Sequence, residues 1–185
     1  VDHTLQVVRM DTLPYLTGYE SRPAYLRRTL GDHFHAMEQL EETVPPQGRV
    51  LFLWEPRSYY SPRPVQPDAI LDNWAHLRHL YGSNAEIALH LQEEGYTHVL
   101  LNCRGLKLLA EENPSPLSKA DIEQFEGFID KRLRLVEAIG IYQLYELEPS
   151  AQQAHGIVPD HQREPSMTQR RDVWRWCSDV SRTQI

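Results

Sequence analysis

The sequence predicts an α/β fold: a small, mainly parallel sheet of three or slightly more strands, with helices packed on it in Rossmann-like layering. Three observations lead there. Two near-continuous apolar runs, "RVLFLWE" at 49–55 and "YTHVLLNC" at 96–103, have the composition of strands buried on both faces. Segments with helical periodicity lie between them. A third run rich in tyrosine and aliphatics, "IYQLYEL" at 141–147, follows another helical pattern.

In chain order, "SRPAYLRRTLGDHFHAMEQLEETVPP" reads as helical over 21–43, with Gly31 as a break or kink, and supplies an extra helix layer on the sheet. The turn "PPQG" leads into the first strand. "DAILDNWAHLRHLYG" then places Ile70, Trp74, Leu77 and Tyr81 on one helical face, with Gly82 as the stop. Trp74 on such a face is read as core. In "SNAEIALHLQEEG", Ser83 and Glu86 have capping-box spacing, Ile87 and Leu91 share a face, and Gly95 ends the helix. Strand, helical crossover and strand make a βαβ unit, whose parallel strands take a right-handed connection. Ser118 and Asp121 cap a further helix whose stripe is Ile122, Phe125, Ile129, Leu133 and Val136, running to Gly140. Residues 1–148 are therefore read as a single α/β domain. Residues 149–185 are read as an extended or partly helical tail, rich in Gln, Pro, Arg and His. Within "DVWRWCSDV", Val173 with Trp176, or Trp174 with Cys177, would form a short anchoring turn, and a secondary reading puts Trp174 and Trp176 at a membrane interface.

Bulk properties narrow the function. A chain of 185 residues with 41% hydrophobic and 24% charged residues is ordinary for a globular protein with a real core. A net charge of −7 opposes nucleic-acid binding through bulk electrostatics. No apolar run reaches the roughly 18 to 20 residues of a membrane-spanning helix, and the amino terminus lacks the regions of a signal peptide. Because the chain opens on Val1, it reads as a piece of something longer. Cys103 is read as a buried strand-end residue and Cys177 as a free thiol, with a single bridge between them left open. Basic residues are 16 Arg against 3 Lys, a bias that base composition alone can produce.

Ligands of open α/β sheets sit beyond the carboxyl ends of the strands. Two polar clusters fall there: Glu55, Arg57, Tyr59, Tyr60 and Arg63 after the first strand, and Asn102 with Arg104 after the second. Such a set suits hydrogen bonding to a hydroxyl-rich or anionic group, with arginine giving forked contacts. A structural role competes, in which Glu55 pairs with Arg57, the tyrosines cover the sheet end and Asn102 caps the turn into Gly105. "EPRSYYSPRP" holds no glycine, so dinucleotide and P-loop fingerprints are absent, and no GxSxG elbow occurs. His33 and His35, two apart, point away from each other on a helix. His76 and His79 have workable spacing but no completing carboxylate or HExxH pattern, so the histidines are read as surface residues and no metal is expected.

The ordered segments "LPYLTGYESRPAYLRR" (13–28), "VPPQGRVLFLWEPRSYYSPRPVQPD" (44–68), "LQEEGYTHVLLN" (91–102) and "YQLYEL" (142–147) resemble the carboxyl-terminal soluble region of bacterial polytopic membrane glycosyltransferases. These are relatives of the protein O-mannosyltransferases and the lipid-carrier-dependent aminoarabinose transferases. The likeness covers about residues 13–148, and "RSYY" and "THVLLN" are its recurrent features. It implies an extracytoplasmic domain, on the outer face of the cell membrane, of an enzyme that transfers a sugar from a polyprenyl-phosphate carrier. The catalytic carboxylate of that family lies in an early extracytoplasmic loop, a region this sequence does not contain. The resemblance therefore implies no catalytic residue and no cofactor here. The implied partners are the parent transmembrane region and a glycan or acceptor, met by Arg57, Tyr60, Arg63 and Asn102. The rival reading is a self-contained soluble enzyme or binding protein for a sugar-like or phosphorylated small molecule. A third is an interaction module using the helix around His33 and the tail tryptophans.

Overall fold

The computed structural model describes residues 12–112, 115, 117–149 and Cys177. Three helices, α1 (Leu13–Leu16), α2 (Arg22–Leu30) and α3 (Asp32–Thr43), precede strand β1 (Arg49–Leu53) and the short β2 (Val65–Gln66). Then come α4 (Asn73–Tyr81), α5 (Asn84–Glu93), β3 (Tyr96–Asn102), α6 (Cys103–Glu111), α7 (Lys119–Arg132), β4 (Leu133–Ile139) and β5 (Tyr142–Leu147). The α/β class is as the sequence predicts. Both capping boxes form: Ser83 with Glu86 opens α5, and Ser118 with Asp121 opens α7. Gly31 is a break, separating α2 from α3.

The sheet has five strands in the order β2-β1-β3-β5-β4. It is mixed rather than mainly parallel: β1 pairs parallel with β2 and β3, whereas β5 pairs antiparallel with β3 and β4. The reason is the connection Gly140-Ile141. Two residues suffice to reverse a chain into an antiparallel neighbour, while a parallel pair needs a long crossover. Gly140 has φ +52°, and a Cβ there would collide with the Asp32 carboxylate, which accepts a hydrogen bond from the Ile141 amide.

Successive strand residues alternate between two cores. Val50, Phe52, Leu100, Tyr142 and Leu144 meet Ala36, Met37 and Leu40 of α3. Leu51, Leu53, Val99, Leu101, Tyr145 and Leu147 meet Trp74, Leu77, Ile87, Leu91, Leu106, Phe125 and Phe128 on the other face. Burial on both faces is why β1 and β3 read as continuous apolar runs.

Four expectations change. Leu133 and Val136 continue a helical stripe in sequence but lie in edge strand β4, and Gly140 ends a strand rather than a helix. A register shift between Leu135 and Glu137 breaks the period of two that would have marked the strand. Ile70 precedes α4 and is exposed. Helix α6 and strand β2 have no counterpart in the sequence reading. Cys177 is no free thiol: it forms a disulfide with Cys103, and both sulfurs lie in the core shared by Trp74 and Phe125. The anchoring turn expected of Val173, Trp174 and Trp176 lies outside the described residues. No helix among the described residues is long and apolar enough to cross a membrane.

Candidate functional site

The apolar run of β1 stops because Trp54 adopts a left-handed backbone, φ 57°. A bulky side chain pays for that conformation only where its surroundings enforce it. Here Asp68 does so: its buried carboxylate accepts the Trp54 amide at 2.8 Å through Oδ2 and the Asn73 amide at 3.1 Å through Oδ1. The Asn73 side chain in turn donates to the carbonyls of Phe52 and Pro67. Burial, only partly offset by the amides, pushes the Asp68 carboxyl above its ordinary range. Asp68 carried no sequence signal beyond its place after "VQP".

The turn at Trp54 directs Glu55 inward, where its side chain is fully buried. Arg57 grips it with Nε on Oε1 at 2.8 Å and Nη2 on Oε2 at 2.9 Å, and the Arg57 amide adds a bond to Oε1 at 2.9 Å. Asn102, the last residue of β3, donates its amide to Oε2 at 2.9 Å. Its carbonyl oxygen caps α6 by accepting from the Gly105 amide at 3.1 Å. The Tyr142 hydroxyl donates to Glu55 Oε2 and accepts from Arg57 Nη2 at 2.6 Å. Behind it stands the His33 ring, with Nδ1 3.5 Å from the hydroxyl.

Electrostatics follow from this packing. Burial alone would raise the Glu55 carboxyl, but hydrogen bonds from Arg57 and Tyr142 outweigh it and hold the group below the usual carboxylate range. Tyr142 is pushed far up, by burial first and then by the Glu55 charge, so its hydroxyl stays protonated. His33 is pushed down, first by burial and then by Arg57. Contrary to the surface reading, His33 and His98 are buried, whereas His35, His76 and His79 are exposed.

A carboxylate has about four lone-pair sites. Glu55 accepts from the Arg57 amide, both gripping guanidinium nitrogens, Asn102 and Tyr142, so its capacity is filled from within the fold. With no exposed surface it can neither receive a substrate proton nor ligate an incoming group. The structural alternative posed by the sequence is thus present in part: Glu55 pairs with Arg57, and Asn102 caps the turn into Gly105. Only the Arg57 side chain, 48% exposed, carries this network to the surface.

The other sequence candidates go elsewhere. Arg63 binds main-chain carbonyls at the end of α3, with Nε on Val44 at 2.7 Å and Nη2 on Glu41 at 2.6 Å. Tyr59 and Tyr60 line an open groove with Arg22, Pro23, Leu26, Phe34 and Ser61, where Phe34 meets the Tyr60 ring edge-on at 6.1 Å. Arg104 is exposed on α6. In sequence Tyr142 reads only as part of an apolar strand and His33 as a surface histidine, and only the packing of α3 on β5 brings the two together beside Glu55. A small apolar cavity between Trp54, Trp74, Leu106 and Phe125 lies on the opposite face of the sheet, away from these groups.

No family model matches the chain, and no curated protein does. A similar solved structure is the C-terminal globular domain of an oligosaccharyltransferase from Archaeoglobus fulgidus. It is 14% identical, with a TM-score of 0.43, and the alignment covers 64% of this chain and 97% of that one. A likeness of that size leaves the functional reading to rest on the residues themselves.

Proposed function

We propose that this chain is a noncatalytic extracytoplasmic domain of a membrane glycosyltransferase that uses a lipid-linked sugar donor, and that its Arg57, Tyr59 and Tyr60 surface assists recognition of an acceptor or glycan. One observation carries the reading. The segments that resemble that family, "WEPRSYY", "THVLLN" and "YQLYEL", are the ones whose residues converge on the Glu55 network. The network consumes its own carboxylate and leaves a guanidinium with an adjacent tyrosine pair outside, a surface suited to holding a hydroxylated or anionic ligand rather than transforming it. The buried Cys103–Cys177 disulfide supports an oxidising, extracytoplasmic setting.

The test is a ligand-observed NMR screen of the chain against neutral glycans and sugar phosphates. We expect binding that Tyr60→Ala weakens and that Arg57→Lys, which keeps the charge but removes the Nη1 donor not engaged by Glu55 or Tyr142, weakens for anionic ligands most. Absence of any signal at about millimolar ligand, an affinity near 4 kcal/mol, would reduce this surface to a scaffold. Retention of full binding by both variants would move the site elsewhere.

A further inference from the structure

We propose that the groove where α2, α3 and the loop after β1 meet is a subsite for an acidic sugar, a hexuronate unit of a glycan, and that Arg22 reads its carboxylate. This rests on the glycan reading above and deepens it by naming the class of sugar. Helix α2 supplies Arg22 and Pro23 to the groove, α3 supplies Phe34, and the loop supplies Tyr59 and Tyr60. The volume is about 330 Å³, at the lower end of the range for small-molecule clefts, which suits roughly one or two sugar rings.

The charge count picks out Arg22. The other arginines of α2 and of the loop are engaged: Arg27 with Glu38, Arg28 with Glu20, Arg57 with Glu55, and Arg63 with main-chain carbonyls. Arg22 is exposed, and its side chain has no ion pair or hydrogen bond among the described residues. No carboxylate among those residues lines the groove. One uncompensated guanidinium matches the single charge of a carboxylate, which it can meet with forked hydrogen bonds. A phosphate monoester, at about −1.5 to −2, would stay partly unneutralised there. The rest of the lining fits a sugar ring. Phe34 stands at 80° to the Tyr60 ring with centroids 6.1 Å apart and braces it, while Tyr59 is 92% exposed. Aromatic faces are negative and attract the C–H groups of a pyranose, and phenolic hydroxyls exchange hydrogen bonds with sugar hydroxyls.

Titration of the whole 185-residue chain by ligand-observed NMR tests this, with digalacturonic acid, its methyl ester and glucose 6-phosphate as probes. The acid and the ester differ in charge and share their rings. We expect the acid to bind about fivefold more tightly than the ester, with the preference shrinking as salt is raised, since the pair is exposed. Arg22→Gln should bring the acid down to the level of the ester. The control Arg104→Gln, the same loss of charge at an exposed position on α6, should keep the parent's preference. Both substitutions are at exposed sites, and circular dichroism verifies the fold. Equal binding of acid and ester, a preference that survives Arg22→Gln, equal loss in the Arg104 control, or tighter binding of the sugar phosphate would each overturn the proposal. Binding of the ester would then leave the broader glycan reading standing, whereas no binding of any probe would sink both.

Discussion

Asn102 and Tyr142 face each other in the β3–β5 register, and both donate to the same oxygen, Oε2 of Glu55. One carboxylate after β1 therefore ties the ends of two other strands, so the network checks strand alignment as well as charge. A slip of one residue in β5 would turn Tyr142 to the opposite face.

Removing the hydroxyl by Tyr142→Phe should cost about 1–3 kcal/mol, since it deprives a buried carboxylate of a donor. Glu55→Gln should cost about 2–4 kcal/mol, less than a fully buried ion pair because Arg57 reaches solvent. The two losses should fall short of additive in chemical denaturation, because both act on one network. Additive losses would show that the tyrosine serves packing alone.

Gly105→Ala should be among the most damaging single-methyl additions. A Cβ at Gly105 would lie 2.3 Å from the Trp54 carbonyl oxygen, a main-chain atom held by the Asp68 clamp. Neither side can yield without loosening the start of α6, so about 2–4 kcal/mol should be lost in thermal or urea unfolding. Gly127→Ala, with only an Asn84 side chain at 3.6 Å, should be close to neutral or slightly stabilising and serves as the comparison.

Acidification should weaken the fold in two stages. His33 and His98 are held below their ordinary value of 6.5, chiefly by burial. The unfolded chain then binds protons that the native state refuses, so stability is complete above that value and declines as pH falls beneath it. Glu55, held below 4.5, adds a second loss as pH drops through the carboxylate range. Asp68, raised by burial, works in the opposite sense there and softens the second stage. Urea midpoints measured from about pH 8 to about pH 3 should show both stages, and His98→Gln should flatten the first. A first stage unchanged in that variant would assign it to His33.

Reducing the disulfide, or Cys103→Ser, should lower stability by about 2–4 kcal/mol, given the separation of 74 residues that it spans. Alkylation of the unfolded, unreduced chain followed by mass spectrometry checks the pairing directly. Two modified cysteines without prior reduction would contradict it.

Legibility in the sequence followed the kind of signal each element carries. β1, β3, α5 and the start of α7 were readable because apolar runs and cap spacing are local properties. β4 was not: its bulge spoils the alternation, and Leu133 and Val136 happen to continue the spacing of α7. Glu55, Arg57 and Asn102 were readable as strand-end polar residues. Tyr142, His33 and Asp68 were not, because their roles depend on which strand end or helix faces them. The sequence also placed Arg63 in the crevice, whereas the geometry spends it on the carbonyls of α3, a use that spacing does not encode.

The Cys103–Cys177 link closes the chain from α6 through β5 into a covalent ring, and β5 is an interior strand of the sheet. A protease that severs the backbone once between those cysteines would open the ring without freeing a piece. On a gel the nicked protein would migrate near its full mass until thiol is added, and then as two fragments.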